Sequence, residues 1–227
     1  MKRQLKTSNK VFIVIAILTL LATLLAVAKR NIPIAYGTGG SLPYFTIDDK
    51  INKAELILIG KVTTTLPSMW MGPNGSDPKD ASEKEIIRAR GLFTDSLLSV
   101  KQIFKGEIAD SQVRVRVFTG KTKTVVWASS SEPSYVKGRV YLLFLREDAG
   151  PTAYINPGYY KSVGAFQGVY EIVGDRAISK DDEWNLEELI AYIQSKLAES
   201  TVTPTLEENS QPVETTLPEE ETSTLEP

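Results

Sequence analysis

The sequence predicts a mainly β protein: a small curved β-barrel closed by a C-terminal amphipathic helix and preceded by one N-terminal transmembrane helix. Three observations carry this. Residues 11–28, VFIVIAILTLLATLLAVA, are uncharged with Thr19 and Thr23 as the only polar members. Residues 54–173 hold a series of short apolar and alternating runs punctuated by glycines. Only after Asn185 does the apolar spacing become helical.

At about 1.5 Å per residue, a helix over 11–28 reaches roughly 27 Å, close to the hydrocarbon thickness of a bilayer. Lys2, Arg3, Lys6 and Lys10 precede it, and Lys29 and Arg30 follow before the first acid at Asp48. The positive-inside rule then leaves residues 1–10 as a cytoplasmic basic segment and puts the domain outside a cell membrane crossed once. The membrane is thus a partner through residues 11–28. Ala26-Val27-Ala28 also has the small-residue pattern of a signal-peptidase site, so a secreted form beginning at Lys29 is the alternative. A buried core helix is the third reading, and it lacks the polar face such a helix has.

Residues 29–45 read as a linker marked by Pro33, Gly37, Gly39, Gly40 and Pro43. The barrel domain is placed at 46–199. Thr46 is expected to cap a short helix through Asp49, with Ile47 and Ile51 on its buried side. Residues 54–66, AELILIGKVTTTL, read as a strand that leaves a core and curves at Gly60. Residues 67–90 form a long polar loop with at most a short helix near 82–89. Strands follow at 93–104, closed by Lys105-Gly106, and at 113–117, where Val113, Val115 and Val117 face inward and alternate with Arg114 and Arg116. A turn-rich segment contains Trp127 and Ser129 to Ser134. Strands at 140–145, 152–163 and 168–173 complete the set. The closing helix spans 186–199, with Asn185 and Glu188 as its capping box and Leu186, Leu189, Ile190, Ile193 and Leu197 on one face. Five or six curved strands with glycine bends fit a small barrel, of which the five-stranded OB-like barrel is the simplest.

The succession AELILIGKV, VKQIFKG, VRVRVFTG, VYLLFL and GAFQGVYEI, over roughly 54–179, resembles a domain of uncharacterised exported bacterial proteins. It more distantly resembles the netrin-like OB barrel of the tissue inhibitors of metalloproteinases. The resemblance implies the fold alone. Inhibition in that family runs through a free N-terminal cysteine, and this chain has no cysteine.

Charge is polarised along the chain. Residues 1–30 have six basic and no acidic residues, 31–199 have 20 basic and 21 acidic, and 200–227 have seven glutamates and no basic residue. The acidic Thr/Pro/Glu composition of 200–227 predicts a disordered tail.

Cysteine and histidine are both absent. Disulfides, thiolate zinc sites, Cys nucleophiles and Ser/His/Asp arrangements are thereby excluded. Gly120-Lys121-Thr122 lacks the earlier glycine of a P-loop. No cofactor, metal ligand or catalytic residue is assigned, and the leading expectation is a non-enzymatic interaction module with an unknown protein or glycan partner. Arg114, Arg116, Lys121 and Lys123, with Trp127, Tyr135, Tyr159 and Tyr160 elsewhere in the barrel, form the candidate polyanion- or glycan-binding face. The opposing reading makes the arginines the wet face of a strand and the aromatics core. A domain so near neutral argues against nucleic acid. Glu147-Asp148 and Asp181-Asp182-Glu183 are the acidic clusters on which a carboxylate-dependent hydrolase or a calcium site would have to rest.

Overall fold

A computed structural model describes residues 4–30, 33–72, 75, 76, 78, 82, 85, 91–148, 155 and 157–201. The elements in chain order are α1 (Gln4–Arg30), β1 (Ile34–Thr38), α2 (Ile47–Lys53), β2 (Leu56–Thr65), β3 (Met69–Trp70) and β4 (Leu92–Lys105). They continue with β5 (Gln112–Val117), β6 (Gly120–Lys121), β7 (Val125–Ser129), β8 (Val140–Glu147) and β9 (Tyr160–Ser162). A 3-10 turn (Ala165–Gly168), β10 (Val169–Val173), β11 (Arg176–Ile178), β12 (Glu183–Asn185) and α3 (Leu186–Thr201) complete the chain.

Five strands close into a barrel in the order β8-β2-β4-β5-β9, with β9 pairing back onto β8. The first four of these strands in the chain lie in the spatial order 4-1-2-3, a Greek key. Closure depends on two features. The β5–β9 pair is parallel, through Val115 and Tyr160, whereas its barrel neighbours are antiparallel. In addition, β8 divides one edge between two partners: Tyr141 to Leu143 pair with β10, and Leu145 to Glu147 pair with β9. The β2–β4 ladder shifts register at Ile57/Leu58, Ile59/Gly60 and Val62/Thr64. Such irregularities bend and twist a long pair, which lets a fourteen-residue strand wrap around a small barrel.

The barrel strands β2 and β8 have both faces covered, which explains their nearly continuous apolar sequences. Leu56, Leu58 and Val62 join Leu98, Val113, Val115, Val117, Tyr141, Leu143 and Leu145 inside the barrel. The alternate residues Ile57, Leu142 and Phe144 face outward against Ile51 and Ala54 at α2, Leu189 and Ile193 of α3, and Tyr170 and Ala177 of β10 and β11. α2 begins with the expected capping box. Asp49 N–H donates to Thr46 Oγ1 at 3.1 Å, and Thr46 N–H donates to Asp49 Oδ2 at 3.0 Å. At the start of α3, Asn185 Oδ1 accepts from the N–H groups of Glu187 and Glu188 at 3.0 and 3.2 Å. Leu189 and Ile193 lie fully inside, while Leu186, Ile190 and Leu197 are half-buried.

Several elements differ from the expectations. The stretch read as a linker contains β1, and the stretch read as turn contains β7. These two strands pair in parallel and, with β6, make a separate three-stranded sheet in the order β1-β7-β6. The pairing of β1 with β7 is a long-range property to which the local IAYGT pattern gives no clue. Among the described residues of 152–163, only Tyr160–Ser162 is strand. β11 and β12, too short for a periodic signal, extend the sheet beyond β10. β3 interrupts the segment expected as a loop and pairs with the start of β4. Ser82 and Glu85 are helical, and the rest of the short helix expected near 82–89 lies outside the described residues; of the tail expected at 200–227, Ser200 and Thr201 instead end α3 and the remainder lies outside the described residues.

α1 is a 27-residue helix that contains the whole apolar run. Its described side chains, those of residues 12–25, include Phe12, Ile13, Val14, Ile15, Ile17, Leu18, Leu20, Leu21, Leu24 and Leu25, all more than half exposed. Among the described residues no helix is long and apolar enough to cross a membrane. The eighteen-residue run behind the expected transmembrane helix extends past those described side chains at both ends.

Candidate functional site

Arg114, Arg116, Lys121 and Lys123 do not make one face. Arg116 is 1 % exposed and is among the largest fully buried side chains of the protein. Its register partner across the β4–β5 ladder is Asp95. Nε donates to Asp95 Oδ1 at 2.6 Å, and Nη2 donates to Asp95 Oδ2 at 2.8 Å and to the Ile155 carbonyl at 2.8 Å. The guanidinium carbon lies 3.9 Å from the Phe93 ring centre and 3.6 Å from that of Tyr159, so the cation is held between two aromatic faces. The expected polyanion face is therefore corrected. The strand does alternate, but the face opposite the valines is covered, so Arg116 meets no solvent. Arg114 is half-buried, and the exposed Lys121 and Lys123 belong to β6 and the turn after it.

The aromatics divide similarly. Tyr135 and Tyr159 are buried and Tyr160 is half-buried. Trp127 is half-buried and tilted against Tyr36, with ring centres 5.7 Å apart. Its indole lies over Gly91, where a Cβ would come within 2.3 Å of the ring. A glycine is thus required for that ring to settle, and Gly91 also has a φ of +84°.

The acidic clusters are drawn into separate structural roles. Asp148 accepts from the Tyr159 hydroxyl at 2.5 Å and pairs with Lys161 at 3.2 Å. Asp182 accepts from the Tyr170 hydroxyl at 3.1 Å and from Trp184 Nε1 at 2.8 Å, and Glu183 pairs with Arg176 at 2.7 Å. Lys50, 2 % exposed, donates to the Tyr170 oxygen at 2.7 Å and completes a buried Lys-Tyr-Asp chain between α2 and the sheet. Burial lowers the Lys50 pKa against the raising pull of Asp182 and Asp181. Burial also raises that of Tyr170, with Asp182 adding to the effect. Among the described residues no three carboxylates gather as a metal cluster.

A different set of residues forms a groove of about 450 Å³ on the barrel surface. Ser68, from the segment between β2 and β3, meets Thr94 of β4 there, and Thr119, Lys121, Trp127, Ser129, Ser134 and Tyr135 also line the groove. Four of its polar groups are ordered into a directional chain. The Lys121 N–H donates to Ser68 Oγ at 2.9 Å, and the Thr94 hydroxyl donates to the Thr119 carbonyl at 2.7 Å. The 2.8 Å contact between Ser68 and Thr94 must then carry the Ser68 proton, because the Thr94 proton is already committed. The groove thus holds two oriented hydroxyls, Ser68 and Thr94, whose protons are used inside the protein and whose oxygens can still accept, together with the Trp127 side chain. Of the candidate residues read from the sequence, Lys121, Trp127 and Tyr135 line this groove, together with hydroxyl residues from several separate segments and without Arg114 or Arg116.

Glu132 borders both this groove and a neighbouring pocket of about 310 Å³ that also touches Phe118, Arg146 and Lys161. Burial raises the Glu132 carboxyl pKa, opposed by a hydrogen bond with the Phe118 backbone and by the charge of Lys161. Lys161 itself is lowered by burial, against the pull of Asp148. The signal for Glu132 was present in the sequence, since it is the only acid between Asp110 and Glu147. A carboxyl with a raised folded-state pKa binds more protons folded than unfolded, so its contribution to stability is lost as pH rises from about 4.5 through the folded value. Glu132→Gln keeps an acceptor for Phe118 and removes that loss. The melting temperature of the variant is expected to match that of the parent near pH 4 and to exceed it progressively toward pH 7. A constant difference across the same range contradicts this assignment.

No family model matches the chain, and no curated protein matches it either.

Proposed function

We propose that this chain is a membrane-anchored, non-enzymatic binding module whose OB-like barrel is displayed outside the cytoplasm and holds a neutral, hydroxyl-rich ligand, a glycan, in the groove beside Trp127. The observation that carries the reading is the groove itself, with its Ser and Thr side chains, two aromatic side chains in Trp127 and Tyr135, and a single lysine and a single glutamate for charge. Hydroxyl donors and acceptors match a sugar's own groups, and an aromatic side chain adds apolar contact. The closed Greek-key order with its parallel last pair supports an OB-like barrel, and such barrels carry ligands on their strand faces and loops. The anchor reading is supported by α1, whose backbone is helical across the whole apolar run. The alternative polyanion site built on Arg114 and Arg116 loses its support, because Arg116 already has its anion in Asp95.

Binding of detergent-solubilised full-length protein to a panel of neutral and acidic oligosaccharides tests this. Ser134→Trp, which fills the groove from an exposed rim position, is expected to weaken neutral-glycan binding at least about tenfold, or 1.4 kcal/mol, without lowering the melting temperature. No binding across the panel, or binding indifferent to Ser134→Trp, overturns the reading.

A further inference from the structure

We infer that the β6–β7 turn, carrying Lys121 and Lys123, is a docking surface for the anionic headgroups of the membrane that holds α1; this rests on the anchor reading given above. The argument begins with chain order. α1 ends at Arg30 and β1 starts at Ile34. Four residue steps span at most about 14 Å, so the start of β1 is tied closely to the end of the apolar helix. β7 runs parallel to β1, with Val125 opposite Ile34, and the Ile34 N–H donates to the Thr124 carbonyl at 2.9 Å. The start of β7 therefore lies beside the start of β1. The turn that precedes it, Lys121 to Thr124, forms the end of the three-stranded sheet nearest α1.

Charge is one-sided at that end. Residues 29–47 and 118–131, which hold this whole sheet and its flanks, include Lys29, Arg30, Lys121 and Lys123 and not one acid. Lys121, Lys123 and Thr124 are exposed, and Ile34 is 55 % exposed beside them, so cations and an apolar side chain project together from one edge. That combination suits the headgroup layer, where lysines meet phosphate and aliphatic side chains meet the acyl boundary. The turn is also held in shape before any contact. The Thr122 N–H donates to the Val125 carbonyl at 2.8 Å, and Thr122 Oγ1 accepts from the Val125 N–H at 3.1 Å. Docking would order little that is not already ordered, and it would set how the barrel and its groove face the membrane.

Because the chain has no cysteine, Thr124→Cys gives one labelling position. The full-length labelled protein is reconstituted into vesicles of phosphatidylcholine alone or of phosphatidylcholine with phosphatidylglycerol, each carrying a headgroup-attached quencher. Quenching is expected to be at least about twofold stronger in the anionic vesicles and to fall to the neutral-vesicle level when Lys121→Glu and Lys123→Glu are combined. Equal quenching in the two lipids, or quenching unaffected by the charge reversals, overturns the docking surface. Flotation of the same samples separates the two readings: protein that fails to float with either vesicle overturns the anchor, whereas protein that floats with both but shows no lipid dependence of quenching overturns docking alone.

Discussion

Asp95→Ala is expected to destabilise the domain by about 3–5 kcal/mol, because it removes a carboxylate that accepts two hydrogen bonds from a guanidinium sealed between β4, β5 and the Ile155 segment. A domain of this kind has roughly 5–15 kcal/mol of stability in all, so the variant should unfold at far lower urea concentration or fail to accumulate. The cost arises from the arginine left behind and not from the absent ion pair as such. Replacing a buried pair by apolar side chains of similar volume is often neutral or stabilising. The double variant Asp95→Leu with Arg116→Met should therefore recover most of the loss, with the Met side chain lying between the Phe93 and Tyr159 rings where the guanidinium now sits. Urea unfolding followed by tryptophan fluorescence measures both. An Asp95→Ala variant within about 1 kcal/mol of the parent contradicts the burial argument, and a double variant no better than the single contradicts the origin assigned to the cost.

Gly106→Ala is the second large effect. Gly106 ends β4 at a φ of +78°, and a Cβ built there lies 2.3 Å from the backbone oxygen of Glu55 and 3.3 Å from Leu56 Cα. The left-handed backbone costs an alanine about 1–2 kcal/mol, and forcing apart two backbone segments adds roughly 1–3 more. At about 2–4 °C per kcal/mol for a domain of this size, the melting temperature should fall by roughly 4–20 °C. Gly138 and Gly174 provide the control, with φ values of +89° and +64° and nothing within 4 Å of an added Cβ. Their alanine variants should show the conformational cost alone. Equal losses at all three positions would falsify the claim that the approach of β2 to the end of β4 requires a glycine.

The barrel was largely legible because its strands carry local signals. The valines of β5 alternate, AELILIG and VYLLFL are apolar on both faces, and Thr46 with Asp49 shows the capping pattern of α2 outright. These signals depend on which residues a local element buries, and local spacing records that. The three-stranded sheet was not legible. IAYGT is short and contains a glycine where a strand former would help, and its strand character comes from hydrogen bonds to a segment some ninety residues away. β9, β11 and β12, at three residues each, are too short to show any period.

The sequence by itself determined where four of the five barrel strands lie along the chain, the two helix caps, the apolar run at the N-terminus and the absence of histidine and cysteine chemistry. Tertiary structure alone decided what the charged and aromatic residues do. VRVRV has the same alternation whether its second arginine meets water or Asp95, because periodicity records that a residue faces away from the valines and not what lies on that other side. Burial of Arg116 depends on Asp95 lying opposite it and on Phe93, Tyr159 and Ile155 folding over it. The groove beside Trp127 likewise collects hydroxyls from segments far apart in the chain. A site assembled from single residues of many elements leaves no local pattern, and only the closed barrel brings it together.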